Sequence, residues 1–229
     1  MSTGLPNRDL IPRYFAPYLA YVGVASLASA LPREWDYALR IAATVMALAW
    51  GWRHFAPLRG PNALGASVAI GITPGLIGLA LWVALLAPFG ESNREAWNPA
   101  AIALRVVAAC CLVPVFEELA MRGFVHRFVI QWQRNRAAGH SGAFARTLDR
   151  DSVDSVEAGA WSVAAVAVSA LLFAAAHQSS EWPAAIGYGV LMSTLWILRK
   201  DLLSCVVAHG VTNLALAGYV IQTGRWELW

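Results

Sequence analysis

The chain has 229 residues, of which 58% are hydrophobic and only 14% are charged, and its formal net charge is +3. Soluble globular proteins carry about 25% charged residues. The composition therefore excludes a soluble protein and indicates a single membrane domain over residues 1–229, an all-α polytopic helix bundle. The positive charge comes from arginines in short loops, which orient membrane proteins, and it does not indicate binding of nucleic acid.

Apolar runs predict seven membrane-spanning helices, or eight if a further re-entrant segment is present. A spanning helix requires about 20 mostly apolar residues. The predicted spans are residues 14–31, 37–52, 64–89, 99–132, 158–177, 183–198 and 202–221. Small residues and a proline in the third span predict a kink and close contact with another helix. These residues are Gly71, Pro74, Gly75 and Gly78. The polar stretch 133–157, between the fourth and fifth spans, is predicted to be a loop.

The distribution of basic residues predicts the orientation of the chain. With seven spans, eleven Arg or Lys side chains lie on one side of the membrane and four on the other, with Arg94 among the four. Short loops rich in Arg and Lys stay on the cytoplasmic side. The N-terminus is therefore predicted to be cytoplasmic.

The fourth span carries three charged residues, Glu117, Glu118 and Arg122, in an otherwise apolar run. A charged side chain at the centre of a bilayer costs roughly 2.5–3.5 kcal/mol on insertion scales, so such residues mark functional sites by default. In a helix, Glu118 and Arg122 share a face and can pair. Glu117 is rotated by about 100° from Glu118 and has no partner in its own helix. Pro114 predicts a bend close to the glutamates.

Two further polar motifs interrupt apolar helices. Phe173 and His177 end the fifth span, and His209 and Asn213 lie four residues apart on one face of the seventh. A rise of 1.5 Å per residue places Glu117 and His177 within about 6 Å of the same depth, with His209 lower. Alone, each motif could serve only helix packing. Together, and in this order on separate helices, the motifs predict one shared site.

The three motifs resemble those of the CPBP family of intramembrane proteases. This family includes the Ras-converting CAAX endopeptidases of eukaryotes and bacterial bacteriocin-processing and immunity proteins. More narrowly, the chain is similar to CAAX protease-related proteins of bacteria that carry exosortase systems. The resemblance covers about residues 100–215, the motif-bearing core, and the polar stretch within that core is longer than is usual in the family. The family motif residues fall on Glu117, Glu118, Arg122, Phe173, His177, His209 and Asn213.

The resemblance implies a multi-pass endopeptidase of the bacterial cytoplasmic membrane. Its partners would be the lipid bilayer and a membrane-associated protein or peptide substrate. Peptide hydrolysis requires an activated water molecule and stabilisation of an oxyanion. We expect Glu117 to be the general base and His177 to orient the water. His209 and Asn213 would donate hydrogen bonds to the oxyanion, and the other motif residues would support the site.

Two alternatives follow from the same residues. Glu117, His177 and His209 would also provide three protein ligands and an open position for zinc, which would make the chain a zinc-dependent membrane protease. Without that zinc site, no cofactor is expected. The other alternative is a non-catalytic membrane scaffold or immunity protein, in which the polar residues serve only helix association.

Overall fold

The computed structural model of the chain describes residues 4–86 and 97–228. Within these residues it is all-helical, with 81% helix and no strand, so the prediction of an all-α fold is confirmed. The helices are α1 (Asn7–Leu27), α2 (Arg33–Gly51), α3 (Leu64–Leu86), α4 (Pro99–Ala137), α5 (Ala143–Asp149), α6 (Val163–Ala175), α7 (Trp182–Arg199) and α8 (Leu202–Thr223).

Within the described residues, three helices are long and apolar enough to cross a membrane: α3, α4 and α8. The total of seven spans and the orientation of the chain stay predictions. Residues 87–89 of the predicted third span, and Arg94, lie outside the described residues.

The bounds predicted for the fifth span, 158–177, are wrong. The Ser162 hydroxyl accepts a hydrogen bond from the Ala165 N–H, 3.1 Å away, and caps the helix there. Helix α6 therefore has only 13 residues, fewer than the roughly 20 that a spanning helix requires. His177 lies beyond the end of this helix rather than inside it.

Helices α3 and α8 approach each other closely along a row of glycines. A Cβ atom added at Gly75 would lie 2.7 Å from the Ala208 carbonyl oxygen, and one added at Gly78 would lie 2.5 Å from Thr212 Oγ1. Real Cβ atoms do not come so close to other atoms, so only glycine allows this contact. The predicted close helix contact is confirmed, and it fixes the position of the α8 face that carries the last motif.

Helix α4 departs twice from α-helical geometry, at the π-helical segments Ala108–Leu112 and Leu119–Val125. Segments of π-helix are rare in proteins overall, but those that occur are often found at functional sites. Glu117 and Glu118 lie between the two. The sequence predicts a bend at Pro114; in the structure, a π-helical turn directly precedes this proline.

The polar stretch 133–157 is not the loop that its charged residues predict. It contains the end of α4, helix α5 and a 3₁₀ turn at Val153–Ser155. The side chain of Asn7, fully buried, holds these parts together. Its Nδ2 donates to Gln131 Oε1 and to the Thr147 carbonyl oxygen, both 2.7 Å away, and its Oδ1 accepts from the Val153 N–H. The polar stretch is therefore packed against the start of α1.

Candidate active site

The site is built on a fully buried ion pair within α4. Arg122 Nη1 lies 3.2 Å from Glu118 Oε2, and both side chains have no exposed surface. Arg122 Nη2 also donates to the Gly189 carbonyl oxygen of α7, 2.8 Å away. The predicted pair is thus present, and it also links α4 to α7.

His209 of α8 lies between the two adjacent glutamates. Its Nδ1 is 3.0 Å from Glu118 Oε1, and its Nε2 is 3.7 Å from Glu117 Oε2. A carboxylate only accepts hydrogen bonds, so His209 Nδ1 is the donor to Glu118. Glu118 therefore has two partners, Arg122 and His209, whereas the sequence predicts only the first.

The expectation that His209 lies lower than Glu117 is wrong. That estimate counted regular helical rises from a loop beginning at residue 133. Helix α4 instead continues to Ala137 and contains two π-helical segments. The counted depths therefore do not apply, and His209 is at the level of the glutamates.

His177 is held at the end of α6 by a backbone contact and by aromatic rings. Its Nδ1 lies 2.8 Å from the Phe173 carbonyl oxygen, which can only accept, so Nδ1 carries a proton. In the neutral ring, Nε2 is then the atom that can accept a hydrogen bond. The ring centroid lies 4.7 Å from that of Phe173 and 5.5 Å from that of Trp82. Phe173 is itself buried, 6.1 Å from the His209 ring, and so packs against both histidines.

Glu117, His177, His209 and Asn213 line one cavity of about 260 Å³. Glu117 is 8% exposed and His209 is 4% exposed. That His177 lies within hydrogen-bond reach of Glu117, directly or through one water molecule, stays a prediction. Among the described residues, the imidazole in ion-pair contact with Glu117 is that of His209.

Asn213 replaces a backbone donor that α4 lacks. In the π-helical turn before Pro114, each N–H reaches back five residues, as Val113 N–H does to the Ala108 carbonyl oxygen. The next bond in this register would join residue 114 to Ala109, but proline has no N–H. Asn213 Nδ2 donates to the Ala109 carbonyl oxygen instead, at 2.7 Å. Asn213 thus ties α8 to α4 and keeps a second amide hydrogen for other acceptors.

Replacement of Asn213 by alanine is expected to lower the free energy of unfolding by about 1–3 kcal/mol, because it leaves the Ala109 carbonyl without this donor. Thermal unfolding in detergent measures the change. The control is the same substitution in a Pro114→Ala background, where residue 114 regains an N–H and the loss should be smaller. An equal loss in both backgrounds would contradict this role of Asn213.

Several cavity residues carry no motif signal in the sequence. Tyr188 of α7 lies with its ring centroid 5.3 Å from that of His209, and its hydroxyl donates to Thr212 Oγ1 at 3.2 Å. Thr212 in turn donates to the Gly75 carbonyl oxygen, 2.7 Å away. Adjacency to Asn213 could have indicated Thr212. Tyr188 is placed by helix packing, which a single sequence does not reveal.

The histidines and glutamates of the cavity can also be assessed as ligands of a metal ion. Within residues 4–86 and 97–228, no three His, Cys, Asp or Glu side chains are grouped closely enough to hold one metal ion. His209 Nδ1 faces Glu118 and His177 Nδ1 faces a backbone carbonyl, so only the Nε2 atoms of these rings are left for the cavity.

The fold and the site together define a class of protein: an integral membrane protein made of helices, with buried carboxylates and imidazoles facing one cavity. Comparison with protein families gives a more specific result. The family described as type II CAAX prenyl endopeptidase Rce1-like matches residues 99–215, which are 117 of the 229 residues and include every motif position. The chain belongs to this family, which is a family of membrane proteases, as the motifs predict. No curated protein and no solved structure is significantly similar to the chain. The narrower likeness to proteins of exosortase-bearing bacteria stays a prediction.

Proposed function

We propose that the chain is an intramembrane endopeptidase in which Glu117 activates water to hydrolyse a peptide bond of a membrane-associated protein or peptide. One observation carries the proposal: Glu117, His177, His209 and Asn213 come from separate parts of the chain and line one cavity. Polar groups inside a membrane bundle are expensive to bury. A shared catalytic role accounts for that free-energy cost at all four positions.

In the proposed reaction, Glu117 takes a proton from water while the water oxygen bonds to the carbonyl carbon of the scissile peptide. The carbonyl oxygen becomes an oxyanion. Glu117 then gives the proton to the departing amine, and the C–N bond breaks to leave a carboxylic acid and an amine. A positioned base of this kind contributes roughly 10²–10⁴-fold to the rate. His177 Nε2 would accept the other hydrogen of the water and hold it in place.

The oxyanion would accept hydrogen bonds from His209 Nε2–H and from the second amide hydrogen of Asn213. Removing one such donor typically lowers kcat about 10²–10³-fold. His209 can donate from Nε2 while its Nδ1 donates to Glu118 only when it carries both protons. The Glu118 carboxylate, 3.0 Å away, would stabilise that cation. Glu118 would thus act by positioning His209, and Arg122 by holding Glu118.

We infer that the protein is a multi-pass component of the bacterial cytoplasmic membrane with its N-terminus in the cytoplasm. This orientation rests on the eleven basic side chains counted on one side against four on the other.

The function is tested by incubating purified wild-type protein, and separately Glu117→Gln, with a membrane peptide in detergent micelles and detecting fragments by mass spectrometry. Cleavage by the wild type alone supports the proposal. A non-catalytic scaffold or immunity protein would produce no fragments with either protein.

Cleavage is expected to survive exhaustive treatment with a zinc chelator, because Glu117 rather than a metal ion would activate the water. The cleavage rate is measured before and after dialysis against the chelator, and again after zinc is added. Loss of activity that zinc restores would instead indicate a zinc-dependent protease with Glu117, His177 and His209 as ligands.

A further inference from the structure

A second cavity, of about 470 Å³, lies within the polar stretch 133–157, to which the proposed reaction assigns no role. Its lining includes two arginines and a histidine: Arg146, Arg150 and His140. These residues lie on or directly beside helix α5, so we call the cavity the α5 pocket. It is separate from the cavity that Glu117 lines, because the two share no lining residue.

The two arginines of the α5 pocket are not paired with an acidic side chain. Among residues 4–86 and 97–228, no carboxylate lies within ion-pair distance of Arg146 or Arg150. Asp149 also lines the pocket, but its Oδ1 lies 3.7 Å from Nη1 of a third arginine, Arg8. A guanidinium matches the oxygens of a phosphate group in charge and in geometry. The α5 pocket is therefore suited to a phosphate.

Buried hydrogen bonds beneath α5 hold the pocket in one arrangement. Thr147 is fully buried. Its carbonyl oxygen accepts from Asn7 Nδ2 at 2.7 Å, and its hydroxyl accepts from Asn135 Nδ2 at 2.8 Å. The Arg150 N–H donates to the Arg146 carbonyl oxygen at 3.0 Å, which continues the helical register across the pocket. The positions of both arginines are thus set before a ligand binds.

Helix α5 also carries an exposed aromatic side chain. Phe144 is 54% exposed, although its ring packs against Phe128 and Trp132 of α4 with centroids 5.7 and 6.2 Å away. Helix α4 has 39 residues, about 58 Å at 1.5 Å per residue, whereas the hydrocarbon core is about 30 Å thick. Its polar end, His126–Ala137, therefore extends out of that core. A short helix here with exposed aromatic and basic side chains is typical of the membrane interface.

We propose that the α5 pocket binds the phosphate group of an anionic phospholipid and so holds the polar stretch against the membrane surface. Arg146 and Arg150 would donate guanidinium hydrogen bonds to the phosphate oxygens, and His140 would donate a ring N–H. Phe144 favours a lipid over a soluble phosphate, because only a ligand with acyl chains can use an apolar contact beside the charges. The proposal goes beyond the proposed function and does not depend on the chemistry of Glu117.

The test measures lipid binding to the full chain in a neutral detergent by native mass spectrometry. The probes are dioleoylphosphatidylglycerol and dioleoylphosphatidylcholine, whose ammonium group cancels the phosphate charge. We expect saturable binding of phosphatidylglycerol, about tenfold tighter than that of phosphatidylcholine, because basic side chains at the membrane surface attract anionic lipids. Inorganic phosphate, which lacks acyl chains, should not displace phosphatidylglycerol even in large excess.

The double variant Arg146→Gln/Arg150→Gln is expected to reduce this preference to about onefold, because it removes both guanidinium groups. Arg150→Gln alone changes an exposed position and should lower the preference about threefold, so it carries the test if the double variant does not fold. The matched control is Arg53→Gln/Arg59→Gln. It removes the same charge from exposed positions on the same predicted side of the membrane, outside the α5 pocket, and should keep the full preference.

Four results would overturn the proposal. An unchanged preference in the pocket variants would show that the lipid binds elsewhere. An equal loss in the control would assign the preference to overall charge. Displacement of phosphatidylglycerol by inorganic phosphate would define a site for soluble anions instead, and non-saturable binding would mean that no site exists.

Discussion

Glu117→Gln is expected to lower the rate of peptide cleavage by roughly 10²–10⁴-fold, the contribution of a positioned general base. The amide has nearly the same shape as the carboxylate but cannot take a proton from water. Folding should be retained, because the fully buried pair of Glu118 and Arg122 is unchanged and the contact of Glu117 with His209, at 3.7 Å, is longer than a hydrogen bond. Cleavage of a membrane peptide by the purified variant, together with its melting temperature in detergent, measures both effects.

The cavity offers a matched control in a second carboxylate. Glu181 also lines the cavity, but its Oε2 accepts a hydrogen bond from the Gln178 N–H, 2.9 Å away. Glu181→Gln should therefore keep the cleavage rate within a few-fold of wild type. If Glu117→Gln also cleaves at such a rate while remaining folded, Glu117 is not the base.

The local part of the site could be predicted because helical spacing is strict. Four residues bring Glu118 and Arg122 to one face of a helix, and the structure places them in a buried pair. The same spacing rule places Glu117 on a different face of the helix from Glu118 and Arg122. The convergence of three motifs on one cavity also follows from the sequence, since isolated polar groups are costly in a membrane.

The contact between His209 and Glu118 could not be predicted, because it depends on how α8 packs. That packing requires Gly75 and Gly78 of α3, whose missing side chains let the backbone of α8 approach. The sequence indicates that these glycines permit a close contact, but not which helix makes it. The partner of His209 is therefore a tertiary result rather than a local one.

The backbone hydrogen-bond register of α4 could not be predicted from the sequence either. Pro114 signals a disturbed helix, but a proline can produce a kink, a break or a π-helical turn. The structure has the π-helical turn, and it leaves the Ala109 carbonyl for Asn213.

In the polar stretch 133–157, charged residues suggested solvent and hence a loop. The buried side chain of Asn7, more than 120 residues earlier, instead bonds to two backbone groups of this stretch, the Thr147 carbonyl oxygen and the Val153 N–H.

Glu118→Ala and Arg122→Ala are each expected to lower the free energy of unfolding by about 3–5 kcal/mol, because each leaves its former partner as an unpaired buried charge. Both side chains have no exposed surface. Each variant should give less folded protein, melt at a lower temperature and cleave more slowly than wild type. Yield after size-exclusion chromatography and melting temperature in detergent measure the effect. The matched control is the surface pair Arg134 and Glu157, at 2.9 Å, whose alanine variants should melt like wild type.

The double variant Glu118→Leu/Arg122→Leu separates stability from chemistry. Replacing a buried ion pair by apolar residues of similar volume is often neutral or stabilising, so yield and melting temperature should recover above those of either single variant. Activity should not recover, because His209 Nδ1 loses the carboxylate that accepts its proton at 3.0 Å. Recovery of both would mean that Glu118 serves only helix packing. Failure of the melting temperature to recover would mean that the stability of α4 depends on more than the neutralisation of these two charges.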